Sequence, residues 1–426
     1  MNLYLFNASD SAAMYGIGTY LNELTHALQG AGINIHILHL HSSRPEFETV
    51  SSTVLADRTV RQNELTDKVE NWYIPEVRNC NTFTGSVKNL EGYCRNVAYL
   101  LRIHIKDTRD LVFHFNFNQY AFLAGKLKTF FECKTVHTVH FMKWAFELQG
   151  NMNLFHQFKT KPESERSRYE KLLYDTDEYE GRLYRETDRV IALSQNMKNL
   201  LCSEYQLSPD KVSVIPNGLK DLHPQTETEK AVLRRKWRIA EKELLILFTG
   251  RFHAVKGLVF LIKAFRKVLE KIPDCRLMIA GNGNYDLFVR EARDICTKVT
   301  FTGFLEKNGL YELYRIADAG VVPSLYEPFG YVAVEMMMHG LPVVATATSG
   351  LNEVVNDACG IKVPVTERPG SMDIDTALLA EKIVYLLQHP SEAKKMGQNG
   401  RKRYLEEYSS EVFRRNMIEF YQSLNK

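Results

Sequence analysis

Short apolar runs rich in β-branched residues alternate with amphipathic helical patterns along nearly the whole chain, and this alternation restricts the fold more than any other feature. In the first half the runs fall at Leu3–Phe6, Ile33–Leu40, Leu111–Phe117, Thr135–His140, Val190–Leu193 and Val212–Ile215. In the second half they fall at Leu244–Thr249, Arg276–Ala280, Val299–Thr302, Gly320–Pro323 and Pro342–Ala345. Helical periodicity fills the gaps: Leu258, Leu261, Ile262, Phe265, Val268, Leu269 and Ile272 recur at spacings of three and four until Pro273 stops the pattern. Strands that read as continuous apolar runs are buried on both faces, so the expected class is α/β, with parallel sheets covered by helices on both sides. A polar stretch from Pro216 through Asn217 and Gly218 to Glu243 separates the two series and reads as a hinge region. The expected domains are therefore 1–218 and 219–407, each doubly wound, with a terminal helix at about 408–426 able to pack on either. Ligands of such sheets sit at the carboxyl ends of the strands, so two Rossmann-like domains are expected to face each other across a cleft. The chain has 426 residues, 45% of them hydrophobic, which is enough apolar material for two cores.

Charge narrows the partners. The 54 basic and 51 acidic residues are spread along the chain with no basic stripe, so no nucleic-acid partner is expected. No run approaches the ~20 apolar residues that cross a bilayer, so no transmembrane segment is expected, and a peripheral membrane contact stays open. Asn7, Ser9 and Asp10 interrupt the first apolar run too early for a secretory signal, which points to a cytoplasmic setting. The cysteines Cys80, Cys94, Cys133, Cys202, Cys275, Cys296 and Cys359 are odd in number and include no C-x-x-C pair. Buried reduced thiols fit that pattern better than a disulfide framework or a structural zinc. Oligomeric state is left open.

Two segments carry chemistry. In PSLYEPFGYVAVEMMMHGLPVVATATSG, residues 323–350, a strand leads through a loop into a helix of about ten residues, with Pro328 expected in its first turn and Gly340 at its end. Glu327 stands just before the helix and Glu335 eight positions on, about 12 Å along the axis if the spacing is helical throughout. Hydrolase carboxylates flank one bond from opposite sides at ~5–10 Å, which two acids on one short helix do not easily do. Spaced along a helix whose N-terminal amides attract anions, they suit a long ligand with a diphosphate in its middle, one acid taking sugar hydroxyls and the other ribose hydroxyls. In GRFHAVKG, residues 250–257, Arg251 and Lys256 lie on a loop opening a helix, where fixed cations stabilise a departing diphosphate.

The octet E-P-F-G-x4-E resembles the paired-glutamate motif of the large retaining glycosyltransferase family numbered four (glycosyl transferases group 1), whose fold is GT-B. By that resemblance Glu327 contacts the donor sugar beside the backbone amides of Phe329 and Gly330, and Glu335 holds the ribose. The family pattern R-x4-K matches at Arg251 and Lys256. Gly16 and Gly18 of YGIGTY resemble the family's G-G-I-G loop beside the donor phosphates, with Tyr15 in place of the first glycine. TVHTVHF ends at His140, where the family has a histidine near the donor sugar, and Phe141 replaces the aspartate that usually follows. His137 reads as structural. Ser194 and Asn217 match cleft positions, and Phe304 belongs to a TGFL loop resembling the one whose backbone reads the base. Gly281, in AGNGNYD, permits close approach of a ligand to the backbone, while Asp286 and Leu21 replace the third glycine of a dinucleotide fingerprint in their respective loops, so NAD is not expected.

The resemblance implies a retaining, metal-independent glycosyltransferase acting in bacterial glycan biosynthesis. The donor is a nucleotide sugar, a UDP-sugar first and a GDP-sugar second; the acceptor is unidentified, whether a glycan, a lipid-linked sugar, a peptide or a small aglycone. Glu327, Arg251, Lys256 and His140 are the implied catalytic residues; Glu335, Phe329, Gly330, Gly16, Gly18, Gly281, Phe304 and Asn217 the implied donor-binding ones. No cofactor and no metal are expected, because the D-x-D at Asp175–Thr176–Asp177 sits in a charged segment rather than after a buried strand. A glycan phosphorylase is disfavoured, since no pyridoxal-binding lysine motif is visible. The alternative is a catalytically inactive sugar-nucleotide-binding partner subunit of a glycosylation complex. The segment from Phe141 to Glu186 follows no motif; its aromatics Phe141, Trp144, Phe146, Phe155 and Phe158 are expected to reach the acceptor from the first domain, against the plainer reading that they form core.

Overall fold

The computed structural model describes residues 1–8, 16–53, 68–76, 87–222 and 227–424. The chain forms two units: Met1–Met142 with Arg166–Gly218 and Ser410–Lys426, and Lys143–Glu165 with Leu219–Ser409.

The first unit is built on an eight-stranded sheet: β1 (Asn2–Asn7), β2 (Asn34–Ser42), β3 (Glu48–Thr53), β4 (Lys68–Pro75), β5 (Leu111–Phe115), β6 (Cys133–Val139), β7 (Arg189–Ala192) and β8 (Val212–Val214). Their order is β3-β4-β2-β1-β5-β6-β7-β8, parallel except for the β3–β4 edge pair. Side chains of β1 alternate between two cores. Leu3 and Leu5 pack with Leu21, Leu24 and Leu28 of the helix Gly16–Leu28 and with Phe413, Met417 and Phe420 of the terminal helix Ser410–Ser423. Tyr4 and Phe6 pack on the opposite face with Phe113, Phe115, Leu101 and Leu127. Each large side chain so buried contributes about 1.5–3 kcal/mol of transfer free energy. The terminal helix thus belongs to the first unit, where Ser410 donates to Glu23 at 2.8 Å and Arg414 to the Gln29 carbonyl at 2.6 Å.

The second unit holds β9 (Leu244–Thr249), β10 (Cys275–Ala280), β11 (Val299–Gly303), β12 (Ala319–Val322), β13 (Val343–Ala347), β14 (Gly360–Arg368) and β15 (Ser371–Ile374). Their order is β11-β10-β9-β12-β13-β14-β15, parallel apart from the β14–β15 hairpin. The helix Leu258–Lys271 buries Leu258, Leu261, Ile262, Phe265 and Val268 against this sheet, the stripe its periodicity predicts.

Three features depart from expectation. The residues 143–165 group with the second unit, so the first is not one continuous stretch. The polar segment 216–243 contains the helix Glu227–Lys236, whose Arg234 donates to the Ile316 carbonyl at 3.0 Å and lies 3.3 Å from Asp318. The edge elements β3, β4, β14 and β15 were not anticipated: β3 reads ETVSST, and β14 has mixed burial, so neither shows a continuous apolar run. Among the described residues no helix is long and apolar enough to cross a membrane.

Candidate functional site

In the second sheet β10 and β11 run off one side of β9, and β12 returns on the other, paired with it through Ala319–Ile246 and Gly320–Leu247. The β9–β12 junction is therefore the topological switch point, the place where doubly wound sheets take ligands. The loops leaving these strands carry the two motifs. They are joined directly: the Leu325 amide donates to the Val255 carbonyl at 2.7 Å. Gly257, at φ +67°, packs so closely that a Cβ would lie 1.8 Å from the Pro323 carbonyl oxygen, so no other residue fits there.

That junction brings Lys256 to Glu327. Its Nζ lies 2.5 Å from Oε2, with the side chains 20% and 15% exposed, and the Ser324 hydroxyl donates to the same oxygen at 3.4 Å. The Glu327 carbonyl accepts from the Gly350 amide at 3.0 Å, and the Thr348 hydroxyl donates to the Leu325 carbonyl at 2.8 Å, so the loop is held from β13's side as well. Arg251 is exposed on the same loop as Lys256, its guanidinium 5.5 Å from the centre of the Phe146 ring.

The helix after Glu327 runs over Tyr331–Met338, later than expected, with Gly330 as its N-cap at φ +115°. Pro328 lies in the preceding loop, and the spacing from Glu327 to Glu335 is not helical throughout, so the 12 Å rise does not apply. Gly340 closes the helix at φ +67°, as expected, and Arg401 donates to the Met338 carbonyl at 2.8 Å while paired with Asp221 at 2.7 Å. Phe329 is 3% exposed, its ring packed edge-on to Tyr331 and Tyr408, and Gly330 beside it is buried as well. Glu335 accepts the Tyr314 hydroxyl at 2.8 Å, and Tyr314 lies 2.9 Å from the Thr249 hydroxyl at the end of β9. Burial raises the Glu335 carboxyl above its ordinary value, against the lowering effect of Tyr314. Burial, with Glu335 beside it, pushes the Tyr314 hydroxyl far up.

The glycine loop after β10 has a packing requirement that the sequence did not show. At Gly281, φ +157°, a Cβ would lie 1.8 Å from the Gly250 carbonyl oxygen, so packing of two backbone segments itself requires glycine. Phe304 is 56% exposed.

In the first unit His140 directly follows β6, half-buried, with Nε2 3.2 Å from the Asn116 carboxamide oxygen and its ring edge-on to Tyr20 at 4.6 Å. Burial lowers its imidazole to about 3, with His137 adding to the effect, so it is neutral in ordinary buffers. Tyr20 stands on the helix that begins at the exposed Gly16 and buries Gly18, so both glycines lie in the first turn of that helix rather than in a loop, on the element whose Tyr20 packs against His140. Tyr15 lies outside the described residues. Asn217 is 1% exposed, and its side-chain oxygen has no hydrogen-bond partner among the described residues. Ser194 caps the helix Gln195–Glu204, accepting from the Met197 amide at 3.2 Å, and His137 is buried between the Phe115 carbonyl and Asn118.

Trp144 does not reach for an acceptor. It is 1% exposed and stacked on Phe155 at 3.9 Å, forming core within the second unit, whereas Phe146 lies half-buried 4.4 Å from the His253 ring. Asp177 is fully buried and accepts the Tyr205 hydroxyl at 2.6 Å. A second D-x-D, Asp373–Ile374–Asp375, escaped the sequence reading; Asp375 caps the helix Thr376–Gln388 and Asp373 faces Arg368 at 3.6 Å. Sequence reasoning also missed Tyr314, Ser324 and Thr249, which carry no local signal.

The group 1 glycosyl transferase profile matches residues 229–403, and the glycosyltransferase family 4 profile matches residues 14–221. The chain belongs to glycosyltransferase family four, and its fold is GT-B. An uncharacterized glycosyltransferase of Methanocaldococcus jannaschii is 39% identical over 180 residues, 40% of this chain and 45% of that protein. A D-inositol 3-phosphate glycosyltransferase of Segniliparus rotundus is 32% identical over 185 residues, 42% of this chain and 41% of that protein. The matches thus span less than half the length of these curated relatives. Among solved structures, sucrose-phosphate synthase of Thermosynechococcus elongatus has a TM-score of 0.72 at 22% identity, covering 100% of this chain and 99% of that one. The HepE protein of Anabaena in complex with UDP-glucose has a TM-score of 0.68 at 16% identity, covering 99% and 100%. Likeness at these identities speaks to fold alone. In this family-four glycosyltransferase the octet and the R-x4-K pair stand on neighbouring loops at one switch point.

Proposed function

We propose that the chain is a retaining glycosyltransferase that moves a sugar from a UDP-sugar to an acceptor hydroxyl without a metal ion. The observation that carries this reading is the Lys256–Glu327 pair, closed at 2.5 Å between loops 71 positions apart at the β9–β12 switch point. In this reading the diphosphate lies by the amides that open the helix Tyr331–Met338, with Arg251 and Lys256 meeting its oxygens. As the bond from the anomeric carbon to the phosphate oxygen breaks, negative charge grows on the leaving group and the two cations stabilise it. Glu327 holds donor-sugar hydroxyls and Glu335 the ribose. The acceptor oxygen bonds to the anomeric carbon on the face the phosphate leaves, and its proton passes to the departing phosphate oxygen, so no side chain serves as base. Neutral His140 suits a hydrogen bond to the sugar rather than a charge contact. UDP leads among bases because the Anabaena relative of the same fold binds UDP-glucose. The described cysteines are all free, in keeping with a reducing, cytoplasmic setting.

The test is acceptor-independent hydrolysis of UDP-glucose, UDP-galactose, UDP-N-acetylglucosamine and GDP-mannose, followed by transfer to candidate acceptors. Turnover is expected to persist in chelator, and the first-formed product to keep the α configuration by proton NMR. Binding of a nucleotide sugar in a thermal-shift assay with neither hydrolysis nor transfer would favour the inactive-subunit alternative.

A further inference from the structure

The chain leaves the first unit after Met142 and rejoins it at Arg166, and what lies between is built into the second unit. We propose that this excursion, 143–165, is a working part of the donor site, with Phe146 as the residue that positions Arg251. The inference rests on the functional reading above and adds to it a support drawn from sequence far from both motifs.

The excursion is firmly anchored. The Asn151 side chain donates to the Ser371 and Arg368 carbonyls at 3.1 and 3.3 Å, and its oxygen caps the helix Met152–Thr160 by accepting from the Leu154 amide at 2.9 Å. Glu367 accepts from the Met152 amide at 2.7 Å and from the Asn153 side chain. These bonds tie the middle of the excursion to the β14–β15 hairpin, and bonds to a carboxylate are the stronger kind. Trp144, Phe155 and Phe158 give it a small core of its own, so Phe146 is presented from a packed element.

From that base the excursion touches both chemical loops. The Phe146 ring lies 4.4 Å from His253 and 5.5 Å from the Arg251 guanidinium, on the loop that also carries Lys256. Gly150, at φ +77°, packs so that a Cβ would come within 3.0 Å of the Tyr326 ring, one residue before Glu327. An exposed arginine has many rotamers, and a ring under its guanidinium selects those in which the planar fork faces one way. The charge that the departing diphosphate meets is thereby held in place before the donor arrives, which is what a transition-state contact requires.

Measure kcat and KM for hydrolysis of the best substrate of the nucleotide-sugar panel in Phe146→Ala, Phe146→Trp, Arg251→Ala and the double variant Phe146→Ala/Arg251→Ala, with thermal melts of each. Phe146→Ala should lower kcat roughly 10- to 100-fold while changing KM little, as misplacement of a charge contact does. Phe146→Trp should restore most of it, and in the Arg251→Ala background the loss of the ring should have no further effect on the residual rate. Full turnover in Phe146→Ala would overturn the inference, as would an effect that simply multiplies that of Arg251→Ala. If Glu327→Ala keeps wild-type turnover, or the wild-type chain neither hydrolyses nor transfers from any of the panel, the functional reading falls and the inference with it. A Phe146 failure beside an inactive Glu327→Ala leaves that reading standing.

Discussion

Removing the Lys256 ammonium should damage stability and turnover by separable amounts. The pair is closed at 2.5 Å, and each side chain is only slightly exposed, at 20% and 15%. Fully buried pairs lose about 3–5 kcal/mol when one partner is removed, because the other charge is left uncompensated. Here some solvent reaches both groups and the Ser324 hydroxyl still donates to Glu327, so a loss of about 1–3 kcal/mol is expected for Lys256→Ala. At roughly 2–4 °C per kcal/mol for a unit of this size, melting should fall by about 2–12 °C. Glu327→Ala should lose a similar amount. The double variant should lose less than the sum, with a coupling of about 0.5–3 kcal/mol, since it leaves neither charge stranded. Turnover should respond differently: a lost contact to developing charge lowers kcat by about 10²–10³ in Lys256→Ala, with donor affinity changed far less. The assays are urea melts of the four-member cycle and steady-state donor hydrolysis. Stability losses that add to within about 0.3–0.5 kcal/mol would refute the pair. A change in donor affinity alone, with kcat intact, would refute the role of Lys256 in the transition state.

Glu335 has a folded-state pKa raised above its ordinary value, so it contributes stability below about pH 4.5 that is lost as pH rises through the raised value. Glu335→Gln should therefore gain on the wild type in melting temperature as pH rises from that point; a difference independent of pH would sink the idea. His137 and His140 are both pushed down to about 3 by burial, so the stability they contribute is present above about pH 6.5 and is lost as pH falls toward 3. His140→Gln should flatten part of that acid slope in melts between pH 7 and 4, and an unchanged slope would count against the buried neutral imidazole. Gly257→Ala should lower stability by more than about 2 kcal/mol and abolish turnover, since a Cβ there meets the Pro323 carbonyl at 1.8 Å in a left-handed backbone. Wild-type activity in that variant would mean that the two loops are not held together as described.

Central strands were legible because a strand buried on both faces writes an unbroken apolar run, and Leu244–Thr249 matches its run residue for residue. Edge strands such as Glu48–Thr53 left no such run, and the helix Glu227–Lys236 was hidden in polar composition because it is a surface helix. The octet and the R-x4-K pair were legible as motifs because each is contiguous, with its loop, strand and helix coded side by side. Their meeting was not. Nothing within either segment states that β12 returns to pair with β9, and it is that return which carries Glu327 to Lys256 across 71 positions. Periodicity reports that a residue is buried without saying against what. Trp144 and Phe146 looked alike as aromatics of one segment, yet one became core and the other came to lie beside Arg251. Glu335 was legible as the second acid of the octet, but its partner was not, because the Tyr314 hydroxyl beside it belongs to another helix. Backbone preference and apolar spacing are local properties that one chain segment encodes alone, whereas ion pairs, ring contacts and desolvation are set by groups brought together only when distant segments pack.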